Sequence, residues 1–326
     1  MKRIRITGTD LEVSQVAYGC MGLAHSWTGE PLSTETRKAA VRSVEAALDE
    51  GIDFFDHADI YGRGRCEEAF SDVWQSHPAL RQEIVLQTKC GIRFAGDPTP
   101  GVPGRFDFSY EHIVRSVDGS LSRLKTDYID ILLLHRPDAL VEPDEVARAF
   151  DELQYAGKVR YFGVSNHSAA QIELLKRSVN QKLVVNQLEL NVLHSGLIEG
   201  GVSVNQMFPP NPIHGEGTLE YCRLHDITIQ AWGPLANGRV TGRLPEKPEP
   251  RITKTADLVA KLAEQHGVPG EAIIISWLMR HPAHIQPVIG TTDVNRIAAS
   301  CRANSVELSR EEWYELLGTG RGAPMP

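Results

Sequence analysis

Short runs of apolar residues alternate along the chain with longer segments whose apolar residues recur every three or four positions. The short runs are typical of buried parallel strands, and the longer segments are typical of helices with one packed face. Eight runs follow one another between residues 16 and 290: VAYG, IDFFD, EIVLQTK, IDILLLH, YFGVS, LVVNQ, TIQAW and QPVIG. This alternation predicts a parallel sheet covered by helices.

The helical segments have recognisable ends. STETRKAAVRSVEAALDEG opens with a serine suited to capping and stops at Gly51. Six further segments share its spacing: EEAFSDVWQ, YEHIVRSVDGSLSRL, PDEVARAFDELQYAG, SAAQIELLKRS, TLEYCRLH and TADLVAKLAEQHG. Eight strand and helix units in about 300 residues predict an α/β fold, a (β/α)8 TIM barrel. A β-hairpin precedes it at residues 4–6 and 11–13, and we expect residues 1–326 to form one domain.

A doubly wound dinucleotide-binding sheet is the alternative fold for this alternation. Its glycine-rich fingerprint is missing, because Gly62-Arg63-Gly64 lacks the third glycine and does not follow the strand directly. Neither a P-loop nor an HExxH motif is present. The barrel is therefore the favoured fold.

Composition narrows the classes of partner. The chain has 326 residues and a formal net charge of −8, with no run of Lys and Arg that would suit a nucleic acid or a membrane surface. The five cysteines are dispersed, which argues against a disulfide framework or a structural zinc site. The N-terminus lacks a signal-peptide core, and no stretch approaches a membrane helix. We expect a cytoplasmic protein; its oligomeric state is not indicated.

Polar or aromatic residues follow almost every predicted strand. In a parallel barrel the C-terminal ends of the strands surround one cavity, where barrel enzymes bind substrate. The residues at these ends are Asp56 with Tyr61 in the next loop, Lys89, His135, Ser165, Asn166, Gln187, Trp232, Gly290 and Thr291. So many polar strand ends indicate a catalytic site.

Four of these residues favour proton delivery to a carbonyl oxygen. Lys89 and Asp56 leave neighbouring strands and are expected to form an ion pair. An ammonium beside Tyr61 would lower the pKa of the phenol toward neutral pH and make it a usable general acid. His135 adds a neutral donor that can polarise a carbonyl group.

A metal-dependent barrel hydrolase is an alternative from another enzyme class. His57, Asp59, Lys89 and His135 could imitate such a site. His57 and Asp59 would share a face only if Asp56 pointed away, and no further histidine-rich strand end supplies the remaining ligands. We therefore predict no metal.

The motifs FFDHADIYG, VLQTK, ILLLHRP, GKVRYFGVSN, VNQLELN, QAWGPL and PVIGTT, in this order, resemble the aldo-keto reductase family, in its bacterial oxidoreductase branch. The resemblance implies a barrel that binds NADPH and reduces a small-molecule aldehyde or ketone. It implies that Tyr61 is the proton donor, tuned by Lys89 and Asp56, and that His135 orients the carbonyl. A redox-sensing subunit with little turnover remains the alternative function.

The resemblance also implies a cofactor site. Its residues are Met21, Gly22, Ser165, Asn166, Gln187, Trp232, Gly233, Pro234, Leu235, Asn237, Arg239, Gly290, Thr291 and Arg296. Arg296 would bind the 2′-phosphate, but Thr292 and Asp293 supply no second cation beside it. Ala299-Ser300 also replaces the Glu-Asn that relatives use for adenine. NADPH is the expected cofactor, with NADH as the alternative.

Substrate selectivity is expected in three loops, at residues 20–32, 91–108 and 198–217. Their aromatic residues, among them Trp27, Phe94, Phe106, Phe108 and Phe208, predict an apolar pocket wall. Of these, Trp27 and Phe94 are the predicted substrate-pocket residues. The identity of the substrate does not follow from them.

Overall fold

The structure is a computed structural model that describes residues 1–28, 30–202 and 217–325. Its strands in chain order are β1 (Arg3–Arg5), β2 (Glu12–Ser14), β3 (Ala17–Gly19), β4 (Phe54–Asp56), β5 (Val85–Cys90), β6 (Ile92–Arg93), β7 (Arg105–Phe106), β8 (Ile129–Leu134), β9 (Val159–Ser165), β10 (Leu183–Glu189), β11 (Thr228–Trp232) and β12 (Gln286–Ile289).

Its helices are α1 (Thr34–Asp49), α2 (Arg65–Ser71), α3 (Val73–Ser76), α4 (Tyr110–Leu124), α5 (Pro143–Tyr155), α6 (Ala169–Leu175), α7 (Gly196–Val202), α8 (Thr218–Leu224), α9 (Pro250–His266), α10 (Gly270–Met279), α11 (Val294–Cys301) and α12 (Arg310–Arg321). Ser33 caps α1 by accepting a hydrogen bond from the amide of Thr36, as the serine at its start predicted.

Strands β3, β4, β5, β8, β9, β10, β11 and β12 pair in this order and close into a parallel barrel. The predicted (β/α)8 fold is confirmed, and all eight predicted strands belong to the barrel. The predicted hairpin is confirmed as β1 paired with β2. Ile6 and Val13 of the hairpin segment pack in one buried cluster with Phe54, Val85 and Ile131, so the hairpin covers one end of the barrel interior.

Strand residues alternate between two environments, as the pleat of a β-strand requires. In β5, Val85 belongs to the cluster inside the barrel, whereas Leu86 belongs to the larger core between strands and helices. The same alternation holds for Phe54 and Phe55 in β4. Asp56 and Lys89 therefore occupy inward positions.

The structure adds elements that the periodicity did not predict. Part of the predicted 91–108 loop is a two-stranded antiparallel pair, β6 with β7. Within the predicted 198–217 loop, residues 198–202 belong to α7, and residues 203–216, with Phe208, lie outside the described residues. None of the helices in the described part of the chain is long and apolar enough to cross a membrane.

Candidate active site

The charged centre of the site lies where β4, β5 and β8 end. Asp56 and Lys89 face inward at the ends of their strands, and His135 follows β8 directly. His135 is held by the register, because its amide donates to the carbonyl of Cys90 at 2.9 Å. All three side chains are buried, with exposed fractions of 3 % for Asp56, 0 % for Lys89 and 8 % for His135.

Lys89 is the hub of this centre. Its Nζ donates to Asp56 Oδ2 at 2.7 Å, to the carbonyl of His57 at 2.8 Å and to the Tyr61 hydroxyl oxygen at 3.1 Å. The expected ion pair therefore forms, and all three protons of the ammonium have an acceptor. Burial lowers the pKa of Lys89. Asp56 and Tyr61 together raise it by more than burial lowers it, so the pKa of Lys89 lies above its ordinary value.

Tyr61 reaches the centre from the loop after β4. Its amide donates to the carbonyl of Ala58 at 3.1 Å, and Gly62 follows with a φ of 55° in the left-handed region. The ring of Tyr61 stands edge-on to the ring of His135, with centroids 5.8 Å apart. This turn brings the hydroxyl group of Tyr61, a loop residue, within hydrogen-bond distance of the ammonium of Lys89 in β5.

The expected lowering of the Tyr61 pKa is wrong for this structure. Burial raises the pKa of Tyr61, Lys89 lowers it and Asp56 raises it again, and the net direction is upward. The sequence reasoning counted the ammonium and left out the loss of water around the phenol. Tyr61 is therefore protonated at neutral pH.

His135 is neutral, as expected. Burial lowers the pKa of His135 well below its usual range, and the positive charges of Lys89 and Arg136 lower it further. Nδ1 of His135 is buried and has no hydrogen-bond partner among the described residues.

A chain of glutamine side chains inside the barrel supports Asp56, and sequence reasoning missed it. Gln87 Nε2 donates to Asp56 Oδ1 at 2.6 Å and to Gln230 Oε1 at 2.8 Å. Gln230 donates in turn to Gln286 at 2.9 Å, and Gln286 donates to the carbonyl of Ser14 at 2.8 Å. The signal was a glutamine at the inward position in β5, β11 and β12.

His57 and Asp59 were the residues that suggested a metal site. The structure does not bring them together with Lys89 and His135 as a set of metal ligands. The ring of His57 packs edge-on to Phe70 at 4.7 Å, and both ring nitrogens are buried without a partner in the described residues. Burial lowers the pKa of His57 to about 3, and burial, with Glu67, raises that of Asp59 to about 8. Among the described residues, no group of three or more His, Cys, Asp or Glu could hold a metal ion.

Polar groups at the ends of β9, β10 and β11 form the next part of the site. Asn166 donates to Ser165 Oγ at 2.8 Å and accepts from the indole nitrogen of Trp232 at 3.1 Å. The hydroxyl of Ser165 donates to the carbonyl of Gln187 at 2.9 Å. Gln187 uses its amide nitrogen inside the barrel, on Gln230 at 3.0 Å. Four predicted cofactor residues are thus brought together.

The segment after β11 is a folded loop. Asn191, which sequence reasoning missed, donates to the carbonyl of Gly233 at 3.0 Å and ties the loop to the end of β10. Arg239 donates to the carbonyl of Ala236 at 3.0 Å. Gly233, Pro234, Leu235, Asn237 and Arg239 all belong to this loop.

Arg296 lies in the first turn of α11, after Gly290 and Thr291, and its guanidinium is near that loop. A Cβ atom on Gly238 would be 3.2 Å from Arg296 Nη2 and 3.0 Å from Arg243 Cδ. The stem of the Arg243 side chain therefore lies near Arg296, which sequence reasoning missed because the two are 53 residues apart in the chain.

The remaining predicted residues come from the segments that follow β3 and β5. Met21 is 53 % exposed, and a Cβ on Gly22 would lie 3.2 Å from Thr292 Cγ2. Trp27 stands edge-on to Tyr61, with ring centroids 6.4 Å apart. Arg63 joins Trp27 to the next loop, because its Nε donates to the carbonyl of Trp27 at 3.1 Å and its guanidinium covers Phe94 at 4.4 Å.

Comparison with known proteins decides the family. The sequence profile of the Aldo/keto reductase family matches residues 15–318. The chain belongs to the aldo/keto reductase family. As an aldo/keto reductase it is an oxidoreductase of carbonyl groups that uses a nicotinamide cofactor.

Bacterial relatives agree with this assignment. The aldo/keto reductase is 36 % identical to the oxidoreductase YcsN of Bacillus subtilis, over 100 % of both chains. It is 35 % identical to a 6-dehydroglucose reductase of Novosphingobium aromaticivorans, over 97 % of this chain and 94 % of that one. Among solved structures, the glycerol dehydrogenase of Gluconobacter oxydans superposes with a TM-score of 0.80 at 25 % identity, covering 99 % of this chain and 97 % of that one.

Proposed function

We propose that this protein reduces an aldehyde or a ketone to an alcohol, with Tyr61 as the proton donor. The observation that carries the proposal is the set of contacts around Lys89 Nζ. The ammonium donates to the Tyr61 oxygen at 3.1 Å, so the phenol oxygen is an acceptor there and its own proton is left for the substrate.

Lys89 and Asp56 prepare this proton transfer. The ammonium lies where negative charge develops on the phenol oxygen as the proton leaves, and this stabilises the transition state. Asp56 holds the ammonium at 2.7 Å and keeps it charged in a buried position. Because burial raises the pKa of Tyr61, the acid is in its proton-bearing form at neutral pH.

His135 orients the carbonyl. Its ring is 5.8 Å from that of Tyr61, and its lowered pKa keeps the imidazole neutral. A neutral imidazole can donate one hydrogen bond to a carbonyl oxygen without adding a second positive charge beside Lys89.

The described residues fit a nicotinamide dinucleotide. The side-chain amide of Asn166 and the half-buried indole of Trp232 lie beside the catalytic centre. The side chains of Arg296 and Arg243 lie around Gly238. Met21, Gly22, Ser165, Gln187, the 233–239 loop, Gly290 and Thr291 complete the proposed site. When bound, the cofactor supplies the hydride that reaches the carbonyl carbon. We propose NADPH as the preferred cofactor, with NADH as the alternative.

We propose a sugar aldehyde as the first substrate to test. Two relatives, 35 % and 32 % identical, are 6-dehydroglucose reductases. Trp27 and Phe94 would form one wall of the substrate pocket, tied together by Arg63. The indole of Trp27 reaches the proton donor itself, so the wall lies beside the proposed reacting group.

The substitution Tyr61→Phe tests the proposal. We expect reduction of 6-dehydroglucose, followed by NADPH consumption, to fall by about 10²- to 10⁴-fold, because the variant lacks the proton donor. Binding of NADPH, measured by quenching of tryptophan fluorescence, should be unchanged. The control is Tyr155→Phe, since Tyr155 is 96 % exposed on α5 and should have no effect.

Two results would contradict the proposal. Wild-type turnover by Tyr61→Phe would show that another group donates the proton. Tight NADPH binding without oxidation by any aldehyde, ketone, quinone or keto sugar would favour the redox-sensing alternative.

A further inference from the structure

Arg296, the cation proposed for the 2′-phosphate, already has a carboxylate partner. Its Nη2 lies 3.0 Å from Glu271 Oε1 and 3.0 Å from Thr241 Oγ1. The side chains of Arg296 and Glu271 are only 15 % and 13 % exposed. The contact is therefore more sheltered than an ordinary surface ion pair.

Three separate elements hold this contact in place. Glu271 lies in the first turn of α10, Arg296 in the first turn of α11, and Thr241 in the segment after β11. Helix α10 packs on β12 and α11 packs on α10 and α1, so neither partner is carried by a free loop. Among the described residues, Arg296 is the cation within 4 Å of Glu271.

Arg243, whose side-chain stem lies near this corner, is differently placed. Arg243 is exposed and has no carboxylate within 4 Å among the described residues, although its Cδ approaches Gly238 beside Arg296. The corner therefore has one neutralised guanidinium, and the exposed Arg243 side chain starts at its edge. A phosphate dianion that approached Arg296 would also approach the Glu271 carboxylate.

We propose that Glu271 is a specificity-determining residue of the cofactor site. It reduces the attraction of this corner for a 2′-phosphate, because it neutralises Arg296 and repels a second anion. It also offers a carboxylate that can accept from a ribose 2′-hydroxyl, the contact by which acidic residues favour NADH in other dinucleotide sites. This inference rests on the proposed cofactor site and deepens it: the enzyme uses both NADPH and NADH.

Calorimetric binding of 2′,5′-ADP and of 5′-ADP to the full chain tests this role without turnover. We expect the wild type to favour 2′,5′-ADP by less than about tenfold, because Glu271 offsets Arg296. In Glu271→Gln, affinity for 2′,5′-ADP should rise about tenfold, and affinity for 5′-ADP should stay the same or fall. The glutamine oxygen can still accept from Arg296, so the fold is kept.

Two further variants complete the experiment. Glu264→Gln, at an exposed glutamate of α9, is the matched control and should change neither affinity. Arg243→Gln, at an exposed position, should weaken 2′,5′-ADP severalfold and leave 5′-ADP unchanged.

The outcomes separate this inference from the proposed function. If NADPH and NADH both bind, and Glu271→Gln leaves the ratio of the two ADP affinities unchanged, the role of Glu271 is wrong and the proposed function stands. If the wild type binds neither dinucleotide, the proposed function fails, and this inference fails with it.

Discussion

Two ion pairs of similar geometry lie in different surroundings in this barrel. Lys89 and Asp56 are 2.7 Å apart with side chains 0 % and 4 % exposed, whereas Arg296 and Glu271 are 3.0 Å apart with side chains 15 % and 13 % exposed. The first pair lies at the ends of neighbouring strands, and the second joins two helices outside the barrel. The distances barely differ, so the surroundings decide what each pair can do.

The buried pair is a fixed part of the fold. Removing one partner would leave an uncompensated charge without water, and this is strongly destabilising. The outer pair is sheltered but not sealed, since its side chains keep 15 % and 13 % of their surface exposed, and a phosphate can compete there for the guanidinium. The comparison therefore predicts that changes at Lys89 affect folding and turnover, whereas changes at Arg296 affect mainly the choice of ligand.

The largest effect is expected from Lys89→Met. The variant leaves Asp56 as a buried charge without its partner, so we expect about 3–5 kcal/mol less free energy of unfolding. Carbonyl reduction near neutral pH should fall by at least about 10²-fold, because the phenolate that forms on Tyr61 loses its ammonium. Urea unfolding and NADPH consumption measure the two effects.

The double variant Asp56→Asn with Lys89→Met is the control. It removes both charges, so its stability should recover part of the loss while its turnover stays low. A single variant as stable as the wild type would show that the pair is not a fixed part of the fold.

A smaller effect is expected from His57→Leu, which changes the buried region without touching the pair. Lys89 uses only the backbone carbonyl of His57, and the ring nitrogens have no partner in the described residues. The folded-state pKa of about 3 is below the unfolded value of about 6.5, so the unfolded chain alone takes up a proton between these values. The contribution of His57 to stability is therefore full above pH 6.5 and is lost as the pH drops toward 3.

The variant lacks this titration, so its unfolding free energy should fall less. The difference in unfolding free energy between the variant and the wild type should shift by about 2 kcal/mol in favour of the variant when the pH is lowered from 7 to 5. Urea unfolding at both pH values measures this, and turnover at pH 7 should be unchanged. Equal pH dependence of both proteins would mean that His57 is not buried in its neutral form.

The smallest effect is expected from Arg296→Met at the outer pair. Affinity for NADPH should fall by about tenfold and affinity for NADH should change little, because only the 2′-phosphate needs the guanidinium. The free energy of unfolding should fall by less than in Lys89→Met, because the side chains of the outer pair are 15 % and 13 % exposed and those of the inner pair are almost fully buried. A loss as large as that of Lys89→Met would erase the distinction between the two pairs.

The barrel could be predicted from sequence because its strands are continuous apolar runs between capped, amphipathic helices. Helix α10 is also a continuous apolar run, and for that reason it was missed. Residues 272–278 are all buried, so the helix has no polar face and no helical period. The hairpin of β6 and β7 was missed because each strand has only two residues.

The charged centre could be predicted because Asp56 and Lys89 end neighbouring strands, and the register then brings them together. Long-range contacts could not. Glu271 and Arg296 come from successive helices, and Arg243 comes from a loop whose path has no sequence pattern. The pKa of Tyr61 depends on burial, which no linear motif records.

The chain of glutamine side chains has a fixed hydrogen-bond orientation inside the barrel. Gln87 donates to Asp56, so its NH₂ group must point at the carboxylate. The same NH₂ group donates to Gln230, and Gln230 donates to Gln286. The order ends on the carbonyl of Ser14 in the N-terminal hairpin. One amide cannot turn over without placing two donors or two acceptors face to face. The charge on a single carboxylate thus sets the orientation of three amide dipoles, from the catalytic centre to the hairpin that covers one end of the barrel interior.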